Sequence, residues 1–245
     1  MMPTLRRTSL SVLALLFVSA CSFRNVACST EPPAPVEPVS LTGDEPVGAD
    51  LPPVVGIAFL GDSITAGLGL MGDEAYPAVI ERMFEAEGYT EVEALNAGLS
   101  GDTTAGGLRR VNQVLQPGVR ILVVALGGND ALRGLTAART KENLAGIIDT
   151  ALGRDVAVLL AGMQAPTNLG PEFQEQFRAA FQALSFEYAG SIRFVPFLLE
   201  GVAGDPTLNQ PDGIHPNPAG QAAIANLLYS DLRDMVDQAV FGGGR

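Results

Sequence analysis

Three side chains in this 245-residue sequence are of the types that nucleophilic hydrolysis requires. Ser63 follows Gly-Asp at the end of an apolar run, and His215, the only histidine of the chain, lies three residues after Asp212. A serine hydroxyl is a weak nucleophile unless a base within hydrogen-bond distance accepts its proton and a third group holds that base. If the three side chains meet, they form a hydrolytic triad in the chain order Ser, Asp, His.

Each of these residues, taken alone, also has a structural interpretation. A serine after Gly-Asp is commonly a turn residue or a helix N-cap, and a single histidine is commonly structural. The combination favours catalysis, because another polar turn, Gly127 to Asp130, also follows an apolar run. Asp62 and Asp130 are expected to hydrogen-bond local backbone and brace their loops, not to act as additional acids.

Ester hydrolysis also needs hydrogen-bond donors near the substrate carbonyl oxygen, where negative charge develops during attack. The backbone N–H groups of Ser63 and Gly101 and the side-chain amide of Asn129 can supply three such donors. Gly101 lies in the polar loop Asn96–Thr104, which follows another apolar run. Asn129 alone would equally fit an ordinary turn.

Elements that would position these residues can be read from the hydrophobic pattern. From residue 54 onward, short apolar runs alternate with longer amphipathic stretches, which predicts β-α-β units. The predicted strands are Val54–Leu60, Glu91–Leu95, Ile121–Leu126, Val156–Ala161 and Ile192–Phe197. The predicted helices are Ala75–Glu87, Thr103–Gln116, Thr140–Leu152, Pro171–Tyr188 and Pro218–Val240. We therefore expect a three-layer α/β/α sandwich with a five-stranded parallel sheet, and the four polar loops, which follow strands, at one edge of it.

These polar loops resemble the motif blocks of a known superfamily. The blocks are GDSITAG at Gly61–Gly67, NAGLSGDTT at Asn96–Thr104, GGND at Gly127–Asp130 and DGIHPN at Asp212–Asn217. They are similar to those of the SGNH (GDSL) hydrolases, especially the bacterial thioesterase I, lysophospholipase and arylesterase group, over residues 54 to about 235. The resemblance implies a flavodoxin-like fold and the following roles: Ser63 as nucleophile, His215 as general base, Asp212 as its orienting partner, and Ser63, Gly101 and Asn129 as oxyanion-hole donors.

The resemblance also implies an activity. It is that of a serine esterase or thioesterase that hydrolyses short to medium acyl groups through an acyl-serine intermediate. O-deacetylation of a carbohydrate or cell-wall glycan is the alternative within the enzymes, and a catalytically silent binding lipoprotein is the alternative outside them. Acyl-chain preference depends on the loops Gly67–Glu74 and Met163–Glu172, and the sequence leaves it open, together with the natural substrate and the oligomeric state.

Composition and residue counts exclude several other classes of function. A formal net charge of −12 argues against nucleic acid and anionic membrane surfaces as partners. One histidine and two cysteines, Cys21 and Cys28, leave no ligand set for a transition metal. The glycines of Gly67–Gly72 match a dinucleotide-binding pattern, but they begin seven residues beyond the predicted strand end. No metal or cofactor is therefore expected.

Residues 1–21 have the form of a bacterial signal peptide, in which two arginines precede the apolar run Leu10–Val18. The residues that end at Cys21 resemble a lipobox, whose cysteine becomes the acylated first residue of the mature protein. Residues 22–53 are rich in proline and predict a disordered spacer before a hydrolase domain at 54–241. We expect an exported protein of the bacterial cell envelope, lipid-anchored and facing the periplasm or the exterior.

Overall fold

The structure, a computed structural model, describes residues 54–241. The predicted signal peptide, its Cys21 and the predicted spacer lie outside the described residues, so these expectations rest on the sequence alone. Among the helices of the described part, none combines the length and the apolar character needed to cross a bilayer.

A five-stranded parallel sheet forms the centre of the domain, as the sequence predicts. The strands are β1 Val55–Gly61, β2 Val92–Gly98, β3 Val119–Ala125, β4 Ala157–Ala161 and β5 Ile192–Val195. Their order is β2-β1-β3-β4-β5, and every neighbouring pair is parallel. The largest difference from prediction is at β2, which continues through polar residues because its backbone keeps pairing with β1 as far as Gly61 and Gly98.

Within residues 54–241, seven α-helices connect and cover the strands. They are α1 Ser63–Ala66, α2 Tyr76–Ala86, α3 Thr104–Val114, α4 Gly128–Leu132, α5 Ala137–Leu152, α6 Pro171–Glu187 and α7 Pro218–Phe241. The five longer helices confirm the predictions. Helices α1 and α4 were not predicted, because four and five residues are too few to show a helical period.

The helices lie on both faces of the sheet, as successive side chains of β1 show. Phe59 packs edge-on against Tyr76 of α2, with ring centroids 5.6 Å apart. The next residue, Leu60, faces the other way and lies beside Gly107 of α3 and Ile147 of α5. Helix α7 packs on α2, and α6 packs on α5. The predicted three-layer α/β/α sandwich is confirmed.

Buried apolar side chains hold these layers together. The side chains of β3 from Ile121 to Ala125 are fully buried, and burial of one such valine or leucine stabilises the fold by about 1.5–3 kcal/mol. On α6, Phe177 and Phe181 are buried and Phe173 stacks on Phe177, so this helix presents an aromatic seam to the core. With the sheet fixed in this way, the carboxyl ends of its parallel strands meet at one edge, where open α/β folds bind ligands.

Candidate active site

Ser63 lies at this edge because β1 ends there. Strand β1 ends at Gly61, and Asp62 then caps α1, since its Oδ1 accepts a hydrogen bond from the N–H of Ile64 at 3.0 Å. Ser63 is the first residue of α1, so its backbone N–H has no acceptor within the helix. The serine hydroxyl and its own N–H are therefore both available at the carboxyl end of a central strand.

The three predicted triad residues meet in space. Ser63 Oγ lies 2.9 Å from Nε2 of His215, and Nδ1 of the same ring lies 2.6 Å from Oδ2 of Asp212. With its proton on Nδ1, the imidazole donates to Asp212 and leaves Nε2 free to accept the hydroxyl proton. The sequence separates the serine from the histidine by 152 positions, and the fold brings them into hydrogen-bond contact.

The loop that carries His215 is held mainly by local hydrogen bonds. Oδ1 of Asp212 accepts the N–H groups of Ile214 and His215 at 2.9 and 3.0 Å. Gln210 adds a longer-range connection, because its Nε2 donates to the carbonyls of Leu68 at 2.7 Å and Pro216 at 3.1 Å. This loop does not directly follow a strand, contrary to the prediction: residues 196–209 separate it from β5.

These hydrogen bonds also determine the charge of Asp212. The backbone N–H of His215, followed by its ring and the N–H of Ile214, lowers the pKa of Asp212 to about 2. The carboxylate is therefore ionised at every pH near neutrality. A permanent negative charge at Nδ1 stabilises the imidazolium that forms when Nε2 accepts a proton.

One cavity is lined by the three predicted oxyanion donors, Ser63, Gly101 and Asn129, and by His215. Gly101 has φ of +79°, a conformation that glycine adopts without strain. Within residues 54–241, the backbone N–H groups of Ser63 and Gly101 have no hydrogen-bond acceptor. Asn129 is the second residue of α4, which begins after the two residues that follow β3. The cavity therefore combines a candidate nucleophile, a candidate base and three candidate donors.

Asp62 does more than brace its own loop. It is almost completely buried, and its Oδ2 accepts a hydrogen bond at 3.3 Å from Nδ2 of Asn129. Burial raises the pKa of Asp62 to about 6, although the N–H of Ile64 and the nearby His215 act in the opposite direction. The carboxylate thus orients the side-chain amide of Asn129, in addition to its predicted bond to local backbone.

Asp130 braces a different element from the one predicted. Its buried carboxylate does not hydrogen-bond local backbone. Instead it accepts the N–H of Thr104 at 2.9 Å and the hydroxyl of the same residue at 2.5 Å. Thr104 also accepts a hydrogen bond from Asn143 of α5 at 3.0 Å. Asp130 therefore fixes the start of α3 to α4, and so fixes the loop of Gly101 relative to Asn129.

Arg110 is an important residue that the sequence analysis missed. Its guanidinium donates to the carbonyl oxygens of Gly61 at 3.0 Å and Ala97 at 2.7 Å, and to Oδ2 of Asp102 at 2.7 Å. The side chain thereby ties the ends of β1 and β2 to the start of α3. Nothing in the sequence indicates this role, because two of its three acceptors are main-chain carbonyls.

The cavity next to Ser63 has a volume of about 770 Å³. Most of the large side chains around it are apolar; they include Leu68, Leu132, Met163, Phe197, Leu199 and Ile214. Both loops that were expected to determine acyl-chain preference contribute to this lining. Such a cavity suits an apolar acyl group whose carbonyl carbon reaches the serine.

Among residues 54–241, no cluster of three or more His, Cys, Asp or Glu side chains could hold a metal ion.

Known proteins resemble this chain in sequence and in structure. Residues 59–223 match the sequence model of the GDSL-like Lipase/Acylhydrolase family. Esterase TesA of Pseudomonas aeruginosa is 38% identical over 178 residues, which cover 72% of this chain and 87% of that protein.

Two further relatives extend the comparison. The Escherichia coli protein named Thioesterase 1/protease 1/lysophospholipase L1 is 33% identical over 182 residues, covering 74% of this chain and 85% of its own. The crystal structure of AlinE4, described as an SGNH-hydrolase family esterase, superimposes with a TM-score of 0.61 at 41% identity, and the match covers 76% of this chain and 96% of that one.

Proposed function

The chain belongs to the GDSL-like lipase/acylhydrolase family and is a hydrolase of esters or thioesters, and on that premise we propose that Ser63 is its nucleophile. The observation that carries this proposal is the 2.9 Å contact between Ser63 Oγ and His215 Nε2. A hydroxyl that donates to an imidazole, itself held by a carboxylate, is the arrangement that activates a serine.

The reaction would proceed in two halves. His215 accepts the hydroxyl proton at Nε2 while Ser63 Oγ bonds to the substrate carbonyl carbon, and the imidazolium then gives that proton to the departing alcohol or thiol. An acyl-serine remains. In the second half, His215 takes a proton from water, the hydroxide attacks the acyl carbon, and the proton returns to Ser63 as the carboxylic acid leaves. Asp212 keeps the ring oriented throughout.

We assign the oxyanion hole to the N–H groups of Ser63 and Gly101 and the amide of Asn129. Donors fixed before the reaction begins stabilise the developing charge without reorganising. The hydrogen bonds that Thr104 donates to Asp130 and that Asn129 donates to Asp62 support this assignment, because they hold the donors on the sheet edge before substrate arrives.

The apolar cavity supports short to medium acyl groups as substrates. A panel of an aryl ester, an acyl-CoA and an acetylated sugar, each measured as kcat/KM, tests this substrate class. The aryl ester and the acyl-CoA are expected to react faster than the sugar. A profile in which only the acetylated sugar reacts would instead identify a carbohydrate deacetylase.

A fluorophosphonate probe tests the nucleophile directly. The wild-type protein and a Ser191→Ala control, which alters an exposed serine before β5, are expected to be labelled to the same extent. The Ser63→Ala variant is expected to remain unlabelled and inactive while keeping its thermal stability. A folded wild-type protein that is not labelled would be a binding protein, and a labelled or active Ser63→Ala variant would assign the nucleophile to another residue.

We also propose that the enzyme is exported and anchored to the cell envelope through Cys21. The lipobox-like residues before Cys21 support this proposal, and so does the proline-rich composition of residues 22–53. In a bacterial host, Cys21→Ser is expected to move activity from the membrane fraction to the soluble fraction. Cys28→Ser, the matched control, is expected to stay with the membrane. Equal distribution of the two variants would contradict anchoring at Cys21.

A further inference from the structure

The candidate oxyanion donors come from separate parts of the chain, although they must act on one oxygen atom. Gly101 belongs to the loop between β2 and α3, whereas Asn129 belongs to α4 after β3. Gly101 is exposed and has φ of +79°. Because glycine has the widest conformational freedom of any residue, the direction of its N–H depends on what holds its neighbouring peptide groups.

Arg133 contacts both of these residues. It directly follows α4, and its backbone N–H donates to the carbonyl of Asn129 at 3.1 Å. Its side chain extends across to the other loop, where Nη2 donates to the carbonyl of Gly101 at 2.7 Å. One residue thus links the two donors, and its charged group is bound directly to the glycine.

We propose that Arg133 is a positioning residue that keeps the N–H of Gly101 and the amide of Asn129 aimed at the same oxyanion. The guanidinium holds the carbonyl of Gly101 and thereby limits rotation about the bond between its Cα and its carbonyl carbon. This inference rests on the proposed function of Ser63. It goes beyond the oxyanion donors themselves, because Arg133 would act through Gly101 and not by touching substrate.

The position of Arg133 predicts how its loss affects catalysis. The oxyanion forms after attack, so donors that are out of register weaken binding of the transition state more than binding of the substrate. A charge-assisted hydrogen bond at an exposed site predicts a decrease in kcat of about tenfold for Arg133→Met, with KM changed less than about twofold. Arg133→Lys keeps the charge and can still donate a hydrogen bond, and is expected to restore part of the lost kcat.

Two comparisons distinguish positioning from a general effect of charge. Arg139 is an exposed arginine on α5 that pairs with Glu142, so Arg139→Met removes the same charge without touching Gly101 and is expected to leave kcat unchanged. The second comparison combines Arg133→Met with Asn129→Ala. If Arg133 acts through the oxyanion hole, its effect on kcat shrinks when the amide of Asn129 is already absent.

The experiment is a measurement of kcat and KM for an aryl ester, with thermal unfolding of each variant as a check of folding. Unchanged kcat in Arg133→Met, a change in KM alone, or an undiminished effect in the Asn129→Ala background would each overturn the proposal. Failure of the proposed function has a different signature, since Ser63→Ala would then keep its activity whatever residue occupies position 133.

Discussion

The two halves of the candidate site are built differently. On the side of the proposed nucleophile and oxyanion donors, here called the donor side, the supporting carboxylates of Asp62 and Asp130 are buried and accept hydrogen bonds, and Arg110 ties strand ends together. On the side of the base, Asp212 is substantially exposed and forms its bonds within its own loop. The comparison indicates that the donor side depends on the stability of the whole domain, whereas the base side depends on a locally folded loop.

Apart from the three triad residues, the largest effect on kcat is expected from Asn129, on the donor side. Asn129→Ala removes a proposed oxyanion donor, and loss of one such donor typically lowers kcat by roughly 10²–10³-fold. KM for an aryl ester is expected to change much less, because the donor acts mainly on the transition state. Steady-state kinetics separate the two parameters. A change in KM alone would indicate a structural asparagine.

The second expected effect is on stability. Asp130→Ala leaves the N–H and the hydroxyl of Thr104 buried without their acceptor, which is expected to lower the free energy of unfolding by about 3 kcal/mol. Asp205→Ala is the matched control, because this aspartate is only partly buried and the hydrogen bonds of its carboxylate within residues 54–241 all come from Thr207 in its own turn. Urea unfolding followed by circular dichroism measures both variants. Equal losses would contradict a structural role specific to the donor side.

These contrasts also explain what the sequence could and could not predict. The strands and long helices were predicted because burial imposes a periodic pattern on the residues that face the core. Ser63 was found because it follows Gly-Asp at the end of a predicted strand, and His215 because it is the only histidine of the chain and lies three residues after a carboxylate. Those signals are local or depend on residue type, so they do not require knowledge of which loops meet.

Hydrogen bonds from side chains to distant main-chain carbonyls leave no such signal in the sequence. Arg110, Arg133 and Gln210 all donate to carbonyl oxygens of residues distant in sequence, and every residue has a carbonyl. Asp130 was misinterpreted for a related reason: its partner, Thr104, lies 26 positions away, where a local turn bond was expected. Helices α1 and α4 were missed because four and five residues are too few to show a hydrophobic stripe.

The loop that carries His215 offers the complementary test, in which activity is expected to change while stability does not. Gln210→Ala removes the bonds from its side chain to Leu68 and Pro216, which connect the loop of His215 to the end of α1. Loss of this connection is expected to lower kcat by about tenfold, since small misplacement of the base weakens proton transfer. The melting temperature is expected to stay close to that of Gln182→Ala, a control on exposed α6 surface. A large loss of stability would show that this loop is not a local unit.

The smallest effect concerns the pH dependence of stability on the donor side. Burial raises the pKa of Asp62 from 3.8 to about 6, so the folded protein holds a proton there that the unfolded chain has already released. Stability from this group is therefore present at low pH and is lost as pH rises through 6.

Asp62→Asn removes this titration. Between pH 5 and pH 8, the free energy of unfolding of the wild type is expected to fall relative to that of Asp62→Asn by roughly 1 kcal/mol. Any pH-independent disturbance of Asn129 in the variant cancels in this comparison, because it contributes equally at both pH values. Urea unfolding of both proteins at the two pH values measures the difference. No relative change between the two pH values would mean that Asp62 is already ionised in the folded protein at pH 5, with its charge stabilised by Asn129 and the N–H of Ile64 despite its burial.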